Sequence, residues 1–271
     1  MDANEFANIS PVASEYLSLE PLQTRIDTHR RYSEREDDVE QAVLDEIALE
    51  PDEALLDVGC GTGSFLRRLR QEEHRGRLVG LDTSPAAIDA LAGSEVIEGV
   101  VCDATAQPFA DGEFDVVTAR HMLYHVPDLD AALREARRVL RAGGRFAAVV
   151  NLPDNATQVC DLVGRVVRSH GLEPPELPNE RVNTETLPPA IARIFGHVAA
   201  THCDNALLFP TPEALANYAV SLLSFYGVEP ASPERPAVAD EIVAEAERWF
   251  ATHDAPWRDR KGYGVFTALR T

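Results

Sequence analysis

Three glycines at alternate positions interrupt an apolar run, and an acidic residue precedes them. In "LLDVGCGTGSFLRRL", residues 55–69, Asp57 is followed by Gly59, Gly61 and Gly63, after which a helical pattern begins. Glycine permits positive φ and lets a ligand approach the backbone closely. A strand, a glycine turn and a helix N-terminus together predict a site for a polar small molecule.

Two further carboxylates follow later apolar segments. Asp82, with Thr83 after it, ends "LVGLD", and Asp103, with Ala104 after it, ends "GVVCDA". An acidic residue at the end of a second strand can accept hydrogen bonds from the adjacent hydroxyls of a ribose. Asp82 could instead cap the next helix, a task that Ser84 could share. Asp103 alone would be a common turn former.

A titratable group follows the fourth apolar segment. "TARHMLYHVPD" contains Arg120, His121, Tyr124 and His125. Histidine can take a proton near neutral pH, as an oxygen or nitrogen nucleophile requires on reaction. His121 is the predicted base, whereas His125 is either catalytic or the anchor of the turn, and Tyr124 either orients a substrate or fills a wall. No acidic pair at metal-ligand spacing stands beside this segment, so no metal is predicted.

Strands must alternate with helices to position these residues. Apolar segments in "EALLDVG", "GRLVGLD", "EGVVCDA", "EFDVVTAR" and "GRFAAVVNL" are predicted strands, and helical patterns separate most of them, including "DLDAALREARRVLRAGG". Parallel strands need such crossovers, so the pattern predicts a doubly wound sheet. Because ligands bind beyond the carboxyl ends of the strands, we expect the glycine turn, Asp82, Asp103 and the segment from Arg120 to His125 at one edge.

The rest of the chain extends this plan. The predicted fold class is α/β, a Rossmann-like, mostly parallel sheet of seven strands with an antiparallel last strand and a helical cap. One domain is expected over residues 1–271. Its predicted parts are an N-terminal helical segment 1–40, a core over 41–152, strands over 197–209 and 262–270, and a cap over 211–256 that covers an acceptor pocket.

Composition limits the classes of partner. The 271 residues carry 25 Lys and Arg against 45 Asp and Glu, a formal charge of −20, which disfavours binding to a phosphate backbone. The N-terminus shows no pattern of a secretory leader and no apolar run is long enough to span a bilayer, so a cytoplasmic protein without a membrane partner is predicted. Four cysteines without a CxxC pair are expected to be reduced and mostly buried.

Glycine spacing separates two cofactor classes. A dinucleotide fingerprint reads GxGxxG, whereas Gly59, Gly61 and Gly63 form GxGxG after Asp57. This motif resembles that of class I S-adenosylmethionine-dependent methyltransferases. The resemblance implies that the glycine turn lies beneath the amino acid portion of S-adenosylmethionine and that Asp57 helps to position it.

The same resemblance assigns roles to the later residues. Asp82 and Thr83 would hold the ribose, Asp103 would accept the adenine amino group, and a backbone amide at Ala104 would read the ring. Arg120 is counted among the cofactor-binding residues. "TARHMLYHVPDLDAALREARRVLRAGGRF" is similar to small-molecule methyltransferases of this class, and the likeness runs from about Glu53 to Leu152.

One predicted cofactor residue lies outside that region. Tyr32, in "THRRYSERED", is on a segment that often closes over the cofactor in related enzymes, although an ordinary solvated helix face explains it equally well. The family implies methyl transfer to the oxygen, nitrogen or carbon of a small-molecule acceptor, with a role in secondary metabolism. A protein or RNA methyltransferase, or a cofactor-binding protein without transfer activity, are the alternatives. No nucleic-acid partner is predicted, and the sequence leaves the oligomeric state open.

Overall fold

The computed structural model describes residues 20–91 and 96–271, which form two compact units. We call the first the sheet unit; it comprises Asp38–Pro153, Asn179–Cys203 and Tyr263–Thr271. The second is the helical unit, made of residues 20–37, Asp154–Pro178 and Asp204–Gly262. The single domain expected from the sequence stays a prediction.

Seven strands form one sheet in the order β3-β2-β1-β4-β5-β7-β6. Neighbours among β1 to β5 are parallel, and β7 runs antiparallel to β5, which confirms the predicted fold class. The strands are β1 (Leu55–Val58), β2 (Leu78–Asp82), β3 (Glu98–Val101), β4 (Phe114–Arg120), β5 (Leu140–Asn151), β6 (Ala199–Phe209) and β7 (Trp257–Leu269).

Helices connect most of these strands. They are α1 (Glu20–Tyr32), α2 (Val39–Ile47), α3 (Ser64–Gln71), α4 (Pro85–Leu91), α5 (Leu129–Val139), α6 (Thr157–Ser169), α7 (Pro178–Arg181), α8 (Leu187–Phe195), α9 (Pro212–Ser221) and α10 (Arg235–Phe250). Short 3₁₀ helices cover Leu123–His125 and Leu223–Tyr226.

Both faces of the central strand β1 are covered within the sheet unit. Leu56 packs in one buried cluster that includes Leu133 of α5, and Leu55 packs in another that includes Leu66 of α3. All four residues of β1 are buried, as expected for a parallel strand between two helical layers. Because β1 is buried on both faces, it fixes the position of the glycine turn that follows it.

Two element boundaries differ from the prediction. The helix expected to run into the glycines near residue 144 ends at Val139, because Leu140 already pairs with Phe114 of β4. The register shifts between that pair and the one formed by Val116 and Arg145, so the glycine-containing segment is an irregularity within β5. The last strand begins at Trp257 rather than near residue 262.

The helical unit has its own apolar core. Buried residues of this core include Val163 on α6, Phe209 at the end of β6, Tyr218 on α9 and Ile242 on α10. Helices α9 and α10 occupy most of the predicted cap, 211–256, whose position over a pocket stays a prediction. Residues 1–19 of the predicted N-terminal helical segment lie outside the described residues.

Every helix within the described ranges is too short or too polar to cross a lipid bilayer.

Candidate active site

The loops after β1 and β4 meet where the strand order reverses. The sheet continues from β1 to β2 on one side and from β4 to β5 on the other, so the two loops leave neighbouring strands in opposite directions. A Cβ atom on Gly59 would lie 2.6 Å from Cβ of Met122, which shows that the two loops are in contact. In doubly wound sheets, such a switch point is where ligands bind.

The three glycines of the turn have different surroundings. All three have positive φ, at +67° for Gly59, +53° for Gly61 and +78° for Gly63. A side chain on Gly59 would collide with Met122, and one on Gly63 would come within 2.0 Å of Leu91, whereas nothing lies within 4 Å of a Cβ on Gly61. Gly59 and Gly63 therefore serve packing, and Gly61 leaves the backbone open to a ligand.

Asp57 is a fully buried carboxylate beneath this turn. It accepts a hydrogen bond of 2.7 Å from the Thr118 hydroxyl, and Arg120 donates to both its oxygens, at 2.8 and 3.3 Å. Thr118 and Arg120 both belong to β4, so the acidic residue of β1 is satisfied by the neighbouring strand. A buried charge needs such pairing, because burial without a partner costs several kcal/mol.

The Arg120 guanidinium is fixed by further contacts. It lies 4.3 Å from the centre of the Phe65 ring, and its Nη1 is 3.6 Å from the Glu40 carboxylate on α2. Burial disfavours the charge on Arg120, but the attraction of Asp57 and Glu40 outweighs it and raises the pKa of Arg120 above its usual value. Arg120 thus stays charged and joins β4 to β1, α2 and α3.

Asp82 braces the open glycine. One of its oxygens accepts the Gly61 N–H at 2.9 Å, and the other accepts the Ser84 N–H at 2.9 Å. Each carboxylate oxygen has a second acceptor position, so ligand hydroxyls can still bind to Asp82. Ser84 caps α4 through a 3.3 Å bond from Ala87 N–H, and Thr83 is exposed beside it.

Asp103 shapes the turn after β3. Its Oδ1 accepts hydrogen bonds from the backbone N–H of Thr105 at 2.8 Å and from the Thr105 hydroxyl at 2.6 Å. Both bonds use the same oxygen. Because Asp103 is exposed, its other oxygen remains accessible to hydrogen-bond donors of a ligand. Ala104 next to it is buried. Asp103 therefore forms the turn and also keeps one carboxylate oxygen that a ligand amine can reach.

Cys60 is a buried thiol within the turn. The thiol is buried, and burial together with the charges of Asp57 and Asp82 raises its pKa, against the opposing effect of Arg120. Cys60 therefore remains a neutral thiol. Cys102, Cys160 and Cys203 are partly exposed, so the prediction that most cysteines are buried is wrong.

The segment after β4 brings His121, Tyr124 and His125 together on one short turn. His121 has φ of +50°, which is uncommon outside glycine, and its N–H donates to Val149 O at 2.9 Å. Its ring lies 6.3 Å from the Tyr263 ring of β7, edge to face. The rings of Tyr124 and His125 are 4.6 Å apart. Backbone that holds a histidine in a sparsely populated conformation is common at functional sites.

Arg181 of α7 fixes this turn from another part of the chain. Its guanidinium donates to the carbonyl oxygens of Tyr124 and Val126, both at 3.0 Å. The His125 N–H donates to Met122 O at 2.9 Å within the turn itself. Backbone hydrogen bonds and the Arg181 cation thus help to hold the conformation of the segment from His121 to Val126.

Comparison with known proteins assigns the central part of the chain. Residues 56–148 match the sequence model of a methyltransferase domain. This domain is of the class I S-adenosylmethionine-dependent type. S-adenosylmethionine is the cofactor of this class. The matched residues contain the glycine turn, Asp82, Asp103 and the segment from Arg120 to His125.

Similar sequences and structures agree with this family. The chain is 43% identical over 98 residues to the demethylmenaquinone methyltransferase of Roseiflexus castenholzii, covering 35% of this chain and 41% of that protein. It is 33% identical over 158 residues to the ubiquinone/menaquinone biosynthesis C-methyltransferase UbiE of Roseobacter denitrificans, covering 55% of this chain and 60% of that protein. The chain thus spans only about half the length of these curated relatives.

A solved structure shares the fold over most of the chain. A putative methyltransferase from an antibiotic biosynthesis pathway of Anabaena variabilis superposes with a TM-score of 0.64 at 15% identity. The match covers 91% of this chain and 99% of that one. At this identity the likeness describes the fold alone.

Tyr32 belongs to the helical unit, unlike the other predicted site residues. It ends α1 in the helical unit, where its ring lies 5.8 Å from Phe209 and beneath the guanidinium of Arg31 at 5.4 Å. The remaining predicted site residues all belong to the sheet unit. The role of Tyr32 toward the cofactor stays a prediction.

Several residues of the site have no signal in the sequence. Glu40 and Thr118 complete the network around Arg120 and Asp57, and Arg181 holds the turn after β4. Hydrophobic periodicity gives α2 as a helix but does not show which neighbour its polar face meets. Arg181 follows a proline-rich stretch that carries no motif. Among the described residues, no group of three or more His, Cys, Asp or Glu side chains is arranged to hold a metal ion.

Proposed function

We propose that this chain transfers a methyl group from S-adenosylmethionine to a small-molecule acceptor. The observation that carries the proposal is the open face of Gly61, whose N–H is held by Asp82 and whose Cα has no neighbour where a side chain would stand. A cofactor can approach the backbone at this one glycine of the turn, beside the buried pair of Asp57 and Arg120.

The residues present fit this cofactor. We infer that the glycine turn lies under its amino acid portion, that Asp82 with Thr83 receives the ribose hydroxyls, and that Asp103 with Ala104 receives the adenine. The second acceptor positions of Asp82 and the exposed oxygen of Asp103 support these roles. When bound, S-adenosylmethionine supplies a methyl group on a positively charged sulfur.

The chain's own contribution is orientation and proton handling. Arg120, held by Asp57 and Glu40, fixes the end of β4 against the glycine turn, so that the loop carrying His121 is placed before a ligand arrives. Such preorganisation lowers the entropic cost of bringing two reactants together. An imidazole nitrogen of His121 takes the proton of a hydroxyl or amine acceptor, while Tyr124 and His125 shape the adjoining wall.

The acceptor class is the finer part of the proposal. The two curated relatives are named for quinone substrates, which are small molecules, but the matches cover only part of each chain. A charge of −20 disfavours RNA as an acceptor. We infer a small organic acceptor, methylated on oxygen, nitrogen or carbon, with a cytoplasmic location and a role in secondary metabolism as accompanying predictions.

Calorimetry tests cofactor binding without knowledge of the acceptor. The chain should bind S-adenosylhomocysteine, and Asp82→Ala should weaken binding by about 1.5 to 3 kcal/mol through loss of hydrogen bonds to a charged group. Asp89→Ala, which removes an exposed carboxylate from α4, is the matched control and should leave affinity unchanged. Tight NAD binding with no response to S-adenosylhomocysteine would overturn the proposal.

Transfer itself is tested with radiolabelled S-adenosylmethionine. Small-molecule extracts, peptides and RNA are offered in parallel to the same enzyme. Label in the small-molecule fraction supports the proposal, and label confined to peptide or RNA assigns the enzyme to the other acceptor class. Cofactor binding without label in any fraction contradicts transfer activity.

A further inference from the structure

Glu40 reaches the glycine turn from a helix outside the family motif. It lies in the first turn of α2, and its Oε1 accepts a hydrogen bond of 3.0 Å from the Ser64 hydroxyl, directly after Gly63. The same carboxylate is 3.6 Å from the Arg120 guanidinium. Glu40 therefore touches the residues that begin α3 and that end β4.

The start of α2 is held in this place by Arg68 of α3. The Arg68 guanidinium donates to both oxygens of Asp38, at 2.8 Å each, and to the side-chain oxygen of Gln41 at 2.6 Å. Asp38 in turn caps α2 by accepting the Gln41 N–H at 2.9 Å. Because residues on both sides of Glu40 are anchored, its carboxylate is kept beside the turn.

The cations near Glu40 are shared with other carboxylates. Arg120 already makes a two-pronged contact with Asp57, which is fully buried, and is closer to Asp57 than to Glu40. Arg68 lies 3.8 Å from Glu40 but pairs at 2.8 Å with Asp38 and with Glu72. Two guanidinium groups thus face four carboxylates, and the side chain of Glu40 is only 24% exposed, which limits screening by water and salt.

A further carboxylate stands at the open glycine itself. Asp82 accepts the Gly61 N–H at 2.9 Å. Carboxylates are therefore present both at the start of α2 and at the position where Gly61 opens the backbone to a ligand.

We propose that Glu40 is a specificity-determining residue that makes the site favour the cationic methyl donor over its neutral-sulfur product. The inference rests on the proposed function. In the reaction the acceptor's electron pair forms the new bond to the methyl carbon, and the electrons of the carbon–sulfur bond return to sulfur. The sulfonium becomes a sulfide, so the cofactor loses one positive charge. A fixed carboxylate stabilises the form before transfer more than the form after it, which favours product release.

The test measures affinities for three ligands by calorimetry, with Glu40→Gln as the variant. Glutamine can still accept the Ser64 hydroxyl but carries no charge. The ligands are S-adenosylmethionine, S-adenosylhomocysteine and sinefungin, in which an ammonium group replaces the sulfonium. Asp45→Asn removes an exposed carboxylate from the same helix and is the control. Unfolding temperatures of the ligand-free variants show whether each one folds.

The expected result is a selective loss. Glu40→Gln should lower affinity for the two cationic ligands about 3- to 10-fold relative to S-adenosylhomocysteine, an effect of one partly screened charge. Asp45→Asn should leave the ratio unchanged. An equal loss for all three ligands, an unchanged ratio, or the same shift in Asp45→Asn would overturn the inference. If the wild type binds none of the three, the proposed function itself fails.

Discussion

Removing the charge of Asp57 should destabilise the sheet unit strongly. In Asp57→Asn, the shape is kept and Thr118 can still donate to the remaining side-chain oxygen, but the buried Arg120 loses its carboxylate partner. The Asp57 side chain is 0% exposed and that of Arg120 only 12% exposed. Removing one member of a buried ion pair costs about 3 to 5 kcal/mol. Glu40, 3.6 Å from Arg120, compensates in part, so we expect about 3 kcal/mol.

Urea denaturation followed by circular dichroism measures this loss near neutral pH. Hydrogen exchange of the β1 and β4 amides locates it in the sheet unit, where the pair lies. Asp52→Asn is the matched control, because Asp52 and Arg75 form an ion pair of 2.7 Å whose side chains are 73% and 66% exposed. That variant should match the wild type, since exposed pairs contribute little. A loss below about 1 kcal/mol for Asp57→Asn would refute the assignment of a buried charge pair.

Three further predictions follow from the site and its surroundings. Gly59→Ala should lower the unfolding midpoint more than Gly61→Ala. Gly61→Ala should cost about 1 to 2 kcal/mol of stability and should reduce affinity for S-adenosylhomocysteine by more than this cost explains. Equal effects of the two variants on both properties would contradict the division of roles. His121→Ala should lower kcat by about 10²- to 10⁴-fold with little change in cofactor affinity. His125→Ala should lower the stability of the fold more than it lowers kcat. Full turnover of His121→Ala at saturating acceptor would exclude the base role of His121. Burial lowers the pKa of His74 below the value of about 6.5 in an unfolded chain, so the stabilising contribution of His74 is complete above that pH and declines as the pH falls. The thermal unfolding temperature of His74→Gln should therefore depend less on pH between neutral and acidic pH. A pH profile identical to that of the wild type would contradict this prediction.

Local patterns predicted much of the sheet unit. The apolar runs that became β1, β2 and β4 are continuous and buried, and the helix of α5 has a clear amphipathic repeat, so periodicity alone indicates them. The end of α5 could not be predicted, because it is set by pairing of Leu140 with Phe114 in a distant strand. Register and sheet edges are tertiary properties that no short window contains.

The candidate site shows the same division. Asp57 and Asp82 are recognisable because each lies at or near the carboxyl end of an apolar strand, where a doubly wound sheet binds its ligands. Glu40 could not be found, since its approach to Ser64 and Arg120 depends on how α2 is rotated against α3. Arg181 was missed for a similar reason: its contact with Tyr124 joins segments with no shared motif. Spacing identifies residues of one element, and packing decides which other elements complete the site.

The pairing of Asp57 with Arg120 also has a consequence for the order in which the protein can be made. The two residues are joined only after β4 has been added beside β1, and 63 positions separate them along the chain. Contacts of such long sequence separation form late, because the entropy of the intervening chain must first be lost. A nascent chain that has emerged only through β2 has the glycines but neither the cation nor the packing of Met122 that fix them. Cofactor competence therefore cannot arise before β4 and its following turn have been made, and shorter translation products should gain no protection from S-adenosylhomocysteine against proteolysis.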